Sequence, residues 1–207
     1  MRVVYADDAL LALDKPAGLL AVPGRGADKQ DCMAARVQAQ WPDARVVHRL
    51  DMATSGLMLF ARGAAMQRRL SRSFESRQVA KHYVAVVDGA MSVASGRIEL
   101  PLAADWPRRP LQKVDTVQGK PSRTDWQVLE FDALRGLTRL ALQPHTGRTH
   151  QLRLHLSAIG HPILGDMLYA PPGVQQRAAR LLLHASALAL DHPASGQPLH
   201  LRCEAPF

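Results

Sequence analysis

Cysteine is scarce in this chain. Cys32 and Cys203 lie at opposite ends of 207 residues and outside any Cys-x-x-Cys pair, which excludes a disulfide framework and a thiolate zinc site and fits a reducing cytosol. No apolar stretch approaches the ~18 residues of a membrane span, and the N-terminus enters Val3-Val4-Tyr5 without a basic segment and signal-like apolar run. The expected location is the cytoplasm, with no membrane partner. A Walker A loop and a dinucleotide Gly-x-Gly-x-x-Gly are missing, so no nucleotide cofactor is implied. Ser55 lacks the Gly-x-Ser-x-Gly elbow of a serine hydrolase. Nine histidines invite a metal reading, with His145, His150 and His155 the tightest cluster. A spacing of five sets these about 140° apart on a helix, and no His-Glu-x-x-His accompanies them. Neither metal nor cofactor is expected.

Apolar residues are plentiful at 47%, enough for a real core and against disorder. A single catalytic domain over residues 1–207, with room for two lobes, is the expected organisation. Lys and Arg outnumber Asp and Glu by 26 to 18, a formal charge of +8. That surplus suits a phosphate-rich partner, and equally a soluble protein with a basic surface.

Val3-Val4-Tyr5 and Leu10 to Leu13 read as strands joined by Asp7-Asp8. Pro23 to Lys29 forms a glycine-rich loop in which Arg25 is either a phosphate contact or an ordinary surface residue. Asp31 is placed to cap a helix carrying Met33, Val37 and Trp41 on one face. Residues 64–77 repeat the helical pattern with Met66, Leu70 and Phe74 inside. Arg68, Arg69, Arg72 and Arg77 with the single Glu75 make an RNA-facing surface the better reading there than a merely solvated one.

Val79 to Val87 alternates as a strand, and further strands are expected at residues 97–100, 112–117, 125–131 and 136–142. Thr149 is placed to cap a helix ending near Ile159, with Arg153 in its opening turns. Residues 178–181 read as a short helix, and 183–190 and 199–203 as closing strands. Many short, largely antiparallel strands among a few helices make an α+β domain, with a mixed, mainly antiparallel sheet flanked by helices.

Polar chemistry concentrates between two apolar runs, in His48-Arg49-Leu50-Asp51-Met52-Ala53-Thr54-Ser55-Gly56. Residue types alone leave open whether this is a site or a turn whose Asp51 and Thr54 bond their own backbone. The order of residues resembles the catalytic motif of the RluA family of RNA pseudouridine synthases. Further matches follow in the family's order: Lys15-Pro16-Ala17-Gly18, Lys81-His82-Tyr83, Thr146-Gly147-Arg148-Thr149-His150-Gln151-Leu152-Arg153, residues 160–166, and Leu182-Leu183-His184-Ala185.

The resemblance implies a cofactor-free isomerase with the pseudouridine synthase fold. In it Asp51 is the catalytic carboxylate, as nucleophile toward ribose C1′ or base at C2′, with attack at uracil C6 an older alternative. Tyr83 would stack on the target uracil; by residue type alone it reads as a core tyrosine with its hydroxyl at the edge. Arg153 would pair with Asp51 and keep it ionised. Arg49 would fill the space left by the extruded uridine, or serve as a phosphate or carboxylate partner. Arg25, Arg68, Arg69, Arg72, Arg148 and His150 are the candidate RNA contacts.

Within the family the chain resembles members of dual specificity, which act on both tRNA and large-subunit rRNA stem-loops. It is expected to consist of the catalytic domain without an S4-like module ahead of it, and to act as a monomer. The rivals are a synthase specific for one rRNA or tRNA site, a non-catalytic RNA-binding or chaperone module that kept the fold, and a metal nuclease using Asp51.

Overall fold

A computed structural model describes all residues, Met1–Phe207. The chain forms two compact units, one of Met1–Lys81 with His184–Pro206 and one of His82–Leu183 with Phe207.

The first unit is built on a strand buried along almost its whole length. Its elements are β1 (Arg2–Ala6), β2 (Leu10–Lys15), α1 (Met33–Gln40), β3 (Ala44–Val46), β4 (Ser55–Arg62) and α2 (Gly63–Glu75), which the final strands join below. Ser55 to Ala61 of β4 are all buried. Because strand side chains alternate, the run feeds two cores. Leu57, Leu59 and Ala61 meet Leu70, Met66 and Phe74 of α2, the face expected from their helical spacing. Met58 and Phe60 meet Met33, Val37 and Trp41 on the α1 side. Each fully buried Leu or Phe here is worth about 1.5–3 kcal/mol.

In the second unit, β5 (Ala80–Asp88), β6 (Ser95–Ile98), β9 (Thr124–Asp132) and β10 (Leu137–Pro144) form an antiparallel sheet in the order β5-β10-β9-β6, and β7 (Leu102–Ala104) pairs with β8 (Gln112–Val114) as a separate hairpin. Tyr83 lies opposite Leu142 in this register. Two helices follow, α3 (Gln151–Ala158) and α4 (Pro172–Gln175).

The chain then returns to the first unit as β11 (Leu183–Asp191) and β12 (Pro198–Arg202). One edge of β4 carries β2, antiparallel from Leu10 opposite Ala61 to Lys15 opposite Gly56. The other edge is shared by β3, antiparallel at Phe60 to Arg62, and β11, parallel at Ser55 and Gly56.

Three local expectations change and one strand is new. The cap of α1 is Cys32, whose Sγ accepts the Ala35 N–H; Asp31 instead turns its carboxylate to Arg36 at 2.7 Å. No side chain caps α3: Thr149 is displaced from the cap position by His150, which sits in left-handed backbone at φ 55. Residues 178–181 carry no helix, and the short helix is α4, begun by a proline at its first position. Strand β7, Leu102–Ala104, was not among the expected strands.

Gly56 is the tightest backbone approach in the first unit. Its φ is +111, and a Cβ there would stand 2.3 Å from the Ala185 carbonyl oxygen. Gly56→Ala should therefore cost about 3 kcal/mol through strain and loss of the β4–β11 pairing, read as a lowered denaturation midpoint. A midpoint equal to wild type would remove this contact from the account of the fold.

Candidate active site

The polar motif forms the loop between β3 and β4. Its first residue, His48, accepts the Leu59 N–H on Nε2 at 2.8 Å and stacks on Phe74 with centroids 4.6 Å apart. An accepting Nε2 requires the neutral ring. Desolvation, aided by nearby Lys81, lowers the His48 pKa to about 3. The histidine is a fixed acceptor that ties the loop to its strand.

The loop's centre is held by a buried lysine. Lys15 is fully buried, and its Nζ donates to the carbonyl oxygens of Leu19 at 2.8 Å, Pro16 at 2.9 Å and Met52 at 3.1 Å. Met52 also accepts the Gly18 N–H at 2.8 Å, and the Thr54 N–H closes a turn on the Asp51 carbonyl at 3.1 Å. The residue next to Asp51 is thus gripped twice by the Lys15 to Gly18 turn. Asp51 is half-buried, and Arg49 is exposed.

Ser55, where the loop enters β4, meets His184 Nδ1 at 2.8 Å, while His184 Nε2 lies 3.1 Å from the Cys203 carbonyl. A carbonyl only accepts, so Nε2 carries the proton and the Ser55 hydroxyl donates to Nδ1. That direction ties the entrance of β4 to His184 and, through it, to the Cys203 carbonyl. Asp14, His184 and Cys203 also place potential metal ligands within 4.8 Å of one another. They do not suit an ion: both His184 nitrogens are engaged, Arg2 donates to the Cys203 sulfur at 2.9 Å, and burial with Asp14 nearby pushes that thiol upward.

In the second unit the Thr146 to Arg153 motif folds around Gln151. The Gln151 Oε1 accepts from the Thr146 hydroxyl at 2.7 Å and the Arg148 N–H at 3.1 Å. Its Nε2 donates to the Arg123 carbonyl and the Thr124 hydroxyl, each at 3.0 Å. The three clustered histidines go to separate networks: His145 to Asp125, His150 to the Tyr169 hydroxyl, His155 to Thr124 and the Leu100 carbonyl.

Arg153 is buried, at 4% exposure. Its Nε and one terminal nitrogen grip Asp166 at 2.8 and 2.5 Å. Asp166 also accepts the Leu168 and Tyr169 N–H groups, at 2.9 and 3.2 Å. The Tyr169 ring lies 5.3 Å from the Arg153 guanidinium carbon. Two-point pairing fixes the guanidinium plane, which one bond would not.

A family model described as RNA pseudouridylate synthase matches residues 9–158. The chain belongs to that family. It is 48% identical over 207 residues, all of both chains, to the dual-specificity RNA pseudouridine synthase RluA of Yersinia pestis. To the protein of the same name from Escherichia coli K12 it is 47% identical over 205 residues, covering 99% of this chain and 93% of that one. Among solved structures it resembles human RNA pseudouridylate synthase domain containing 1, with TM-score 0.82 and 30% identity over 99% of this chain and 83% of that one. The fold is that of the pseudouridine synthases, and the reaction class of this RluA-family chain is isomerase.

Seen as a synthase, the chain has parts that sequence reasoning missed: Lys15, His48, Gln151, Asp166 and Tyr169. Four of them lie within the motif segments, which name the residue but not its partner. Of the expected RNA contacts, Arg25, Arg68 and Arg72 are exposed. Arg69 donates to the Pro193 carbonyl at 2.7 Å, and Arg148 lies 3.4 Å from the Pro121 carbonyl.

The His48 tie has a pH signature. The unfolded imidazole takes up a proton near 6.5 and the folded one only near 3, so its contribution is complete above pH 6.5 and lost as pH falls toward 3. His48→Gln should be less stable at pH 7.5, yet lose stability less steeply between pH 6.5 and 4 in urea titrations. Parallel pH curves for the two proteins would contradict a neutral, half-buried His48.

Proposed function

We propose that this protein converts uridine to pseudouridine in both the tRNA anticodon stem-loop and a hairpin of large-subunit rRNA. The observation that carries the reading is likeness at 48% identity along the entire chain to a dual-specificity synthase. The clamped Asp51 loop supports it, because a reaction of this kind needs a carboxylate held in one place.

The reaction breaks the bond between ribose C1′ and uracil N1, turns the base and rejoins it through C5. A proton leaves C5 and N1 regains one, so the product is an isomer and no electrons are exchanged. Asp51 is the proposed catalytic group. Tyr83 offers its ring to the uracil, and Arg153 favours the ionised carboxylate. Asp166 then acts as the positioning residue of Arg153. Arg49 fills the gap left by the extruded base, and Arg25, Arg68, Arg69, Arg72, Arg148 and His150 contact RNA. We place the protein in the cytoplasm, acting as a monomer.

Incubation of each stem-loop with the protein, with and without chelator, followed by chromatographic separation of pseudouridine from uridine, tests the reading. Product in both RNAs, unaffected by chelator, is expected. Product in only one reduces the proposal to a single-site synthase, and binding without product favours the chaperone reading. Asp51→Asn should abolish turnover while RNA Kd stays within about threefold, since volume is kept and one charge is lost; activity within tenfold of wild type would remove Asp51 from its role.

Asp166→Asn should lower kcat about tenfold or more by releasing the guanidinium plane, with RNA Kd little changed. A fall in melting temperature at unchanged kcat would make Asp166 a purely structural residue.

A further inference from the structure

We propose that the β7–β8 hairpin carries a stacking platform for an unpaired RNA base, formed by Trp106 on Arg109. The proposal rests on the RNA substrate reading above and adds to it a binding site outside the residues assigned there.

The hairpin is exposed yet tightly built. Its connection, residues 105–111, is built around one 3₁₀ turn, Trp106–Arg108. Asp105, buried at 6% exposure, anchors this turn: its carboxylate accepts the Arg108 Nε at 2.7 Å, its carbonyl accepts the Arg108 N–H at 3.0 Å, and its own N–H donates to Leu111 at 3.0 Å. A turn held so firmly nevertheless leaves Trp106 at 65% exposure. The Arg109 guanidinium carbon lies 3.8 Å from the indole centroid, covering one face. The opposite face is therefore the one in water. A guanidinium stacked on one side restrains the indole before any ligand arrives, which reduces the entropy lost on binding.

The surroundings select the occupant. Residues 101–121 contain Arg108, Arg109, Lys113 and Lys120 against two acids, Asp105 and Asp115. Both acids are already engaged, by Arg108 at 2.5 Å and Lys113 at 3.0 Å. An open aromatic face in a cationic setting matches a base flanked by phosphates, the combination used for single-stranded nucleic acid. A neutral apolar protein partner would leave the charges of Arg109 and Lys120 unanswered.

The platform also shares a frame with Arg153. The Gln112 N–H, at the start of β8, donates to the Tyr169 hydroxyl at 2.8 Å. That hydroxyl meets His150 at 2.7 Å, and the same ring packs against Arg153. A base on Trp106 is thus held at a set position relative to Arg153, and is a loop base other than the reacting uridine.

The test uses the full-length protein and a tRNA anticodon stem-loop as probe. Trp106→Ala should raise Kd about tenfold, and Trp106→Phe should remain within about threefold of wild type, because a ring restores stacking. The slope of log Kd against log salt should be the same in Trp106→Ala as in wild type, since stacking releases no counterions. Stem-loops carrying 5-bromouridine at loop positions other than the target should photo-cross-link to the peptide containing Trp106.

If wild type forms pseudouridine and Trp106→Ala binds within twofold of it, the platform is wrong and the synthase reading stands. Equal losses in Trp106→Ala and Trp106→Phe with a flattened salt slope would mean a structural turn and overturn the platform. If wild type neither binds nor modifies any stem-loop, both proposals fall.

Discussion

Burial of β4 on both faces is the constraint from which the first unit follows. A strand with no solvent side must satisfy every polar group at its entrance internally, because an unpaired buried donor or acceptor costs about 1–3 kcal/mol. His48, Lys15 and the Ser55–His184 pair meet that requirement together. The result is a loop around Asp51 held from the strand, from the Lys15 turn and from β11. Rigidity at the candidate carboxylate is thus a by-product of satisfying the core.

The second unit meets the same requirement by a different device. Arg153 and Asp166 are a charge pair almost wholly out of water, and such a pair persists when its remaining donors and acceptors find partners. Asp166 accepts two backbone N–H groups, and the Tyr169 ring covers the guanidinium. Tyr169 then links α3, His150 and β8 through one hydroxyl. A network this complete positions a cation more than it stabilises a fold, since replacing a buried ion pair with apolar groups often leaves stability no worse.

The charged surface is less organised than the interior. Arg68 and Arg72 of α2 are solvent-facing, as their spacing on the polar side of Met66, Leu70 and Phe74 requires. They supply charge without direction. The turn at Trp106 differs in that the buried Asp105 holds Arg108 and Arg109 stacks on the indole, so that a ring and two guanidinium groups have fixed neighbours.

The chain's periodicity alone determined the two helices that sandwich β4, the hairpin of β1 and β2 and the long strands β5, β9 and β10, because alternation and 3.6-residue spacing are local properties that burial rewards directly. Motif order likewise placed Asp51, Tyr83 and Arg153 among the candidates. Caps and short elements were decided later: Asp31 could cap α1 or bind Arg36, and only the packed chain chose the latter and gave the cap to Cys32. The partners of buried polar groups belonged wholly to the tertiary structure. Lys15 meets Met52, Ser55 meets His184 and Gln112 meets Tyr169 across long stretches of sequence. A sequence reveals which groups will need a partner out of water, but which partner each one finds depends on the distances that folding creates.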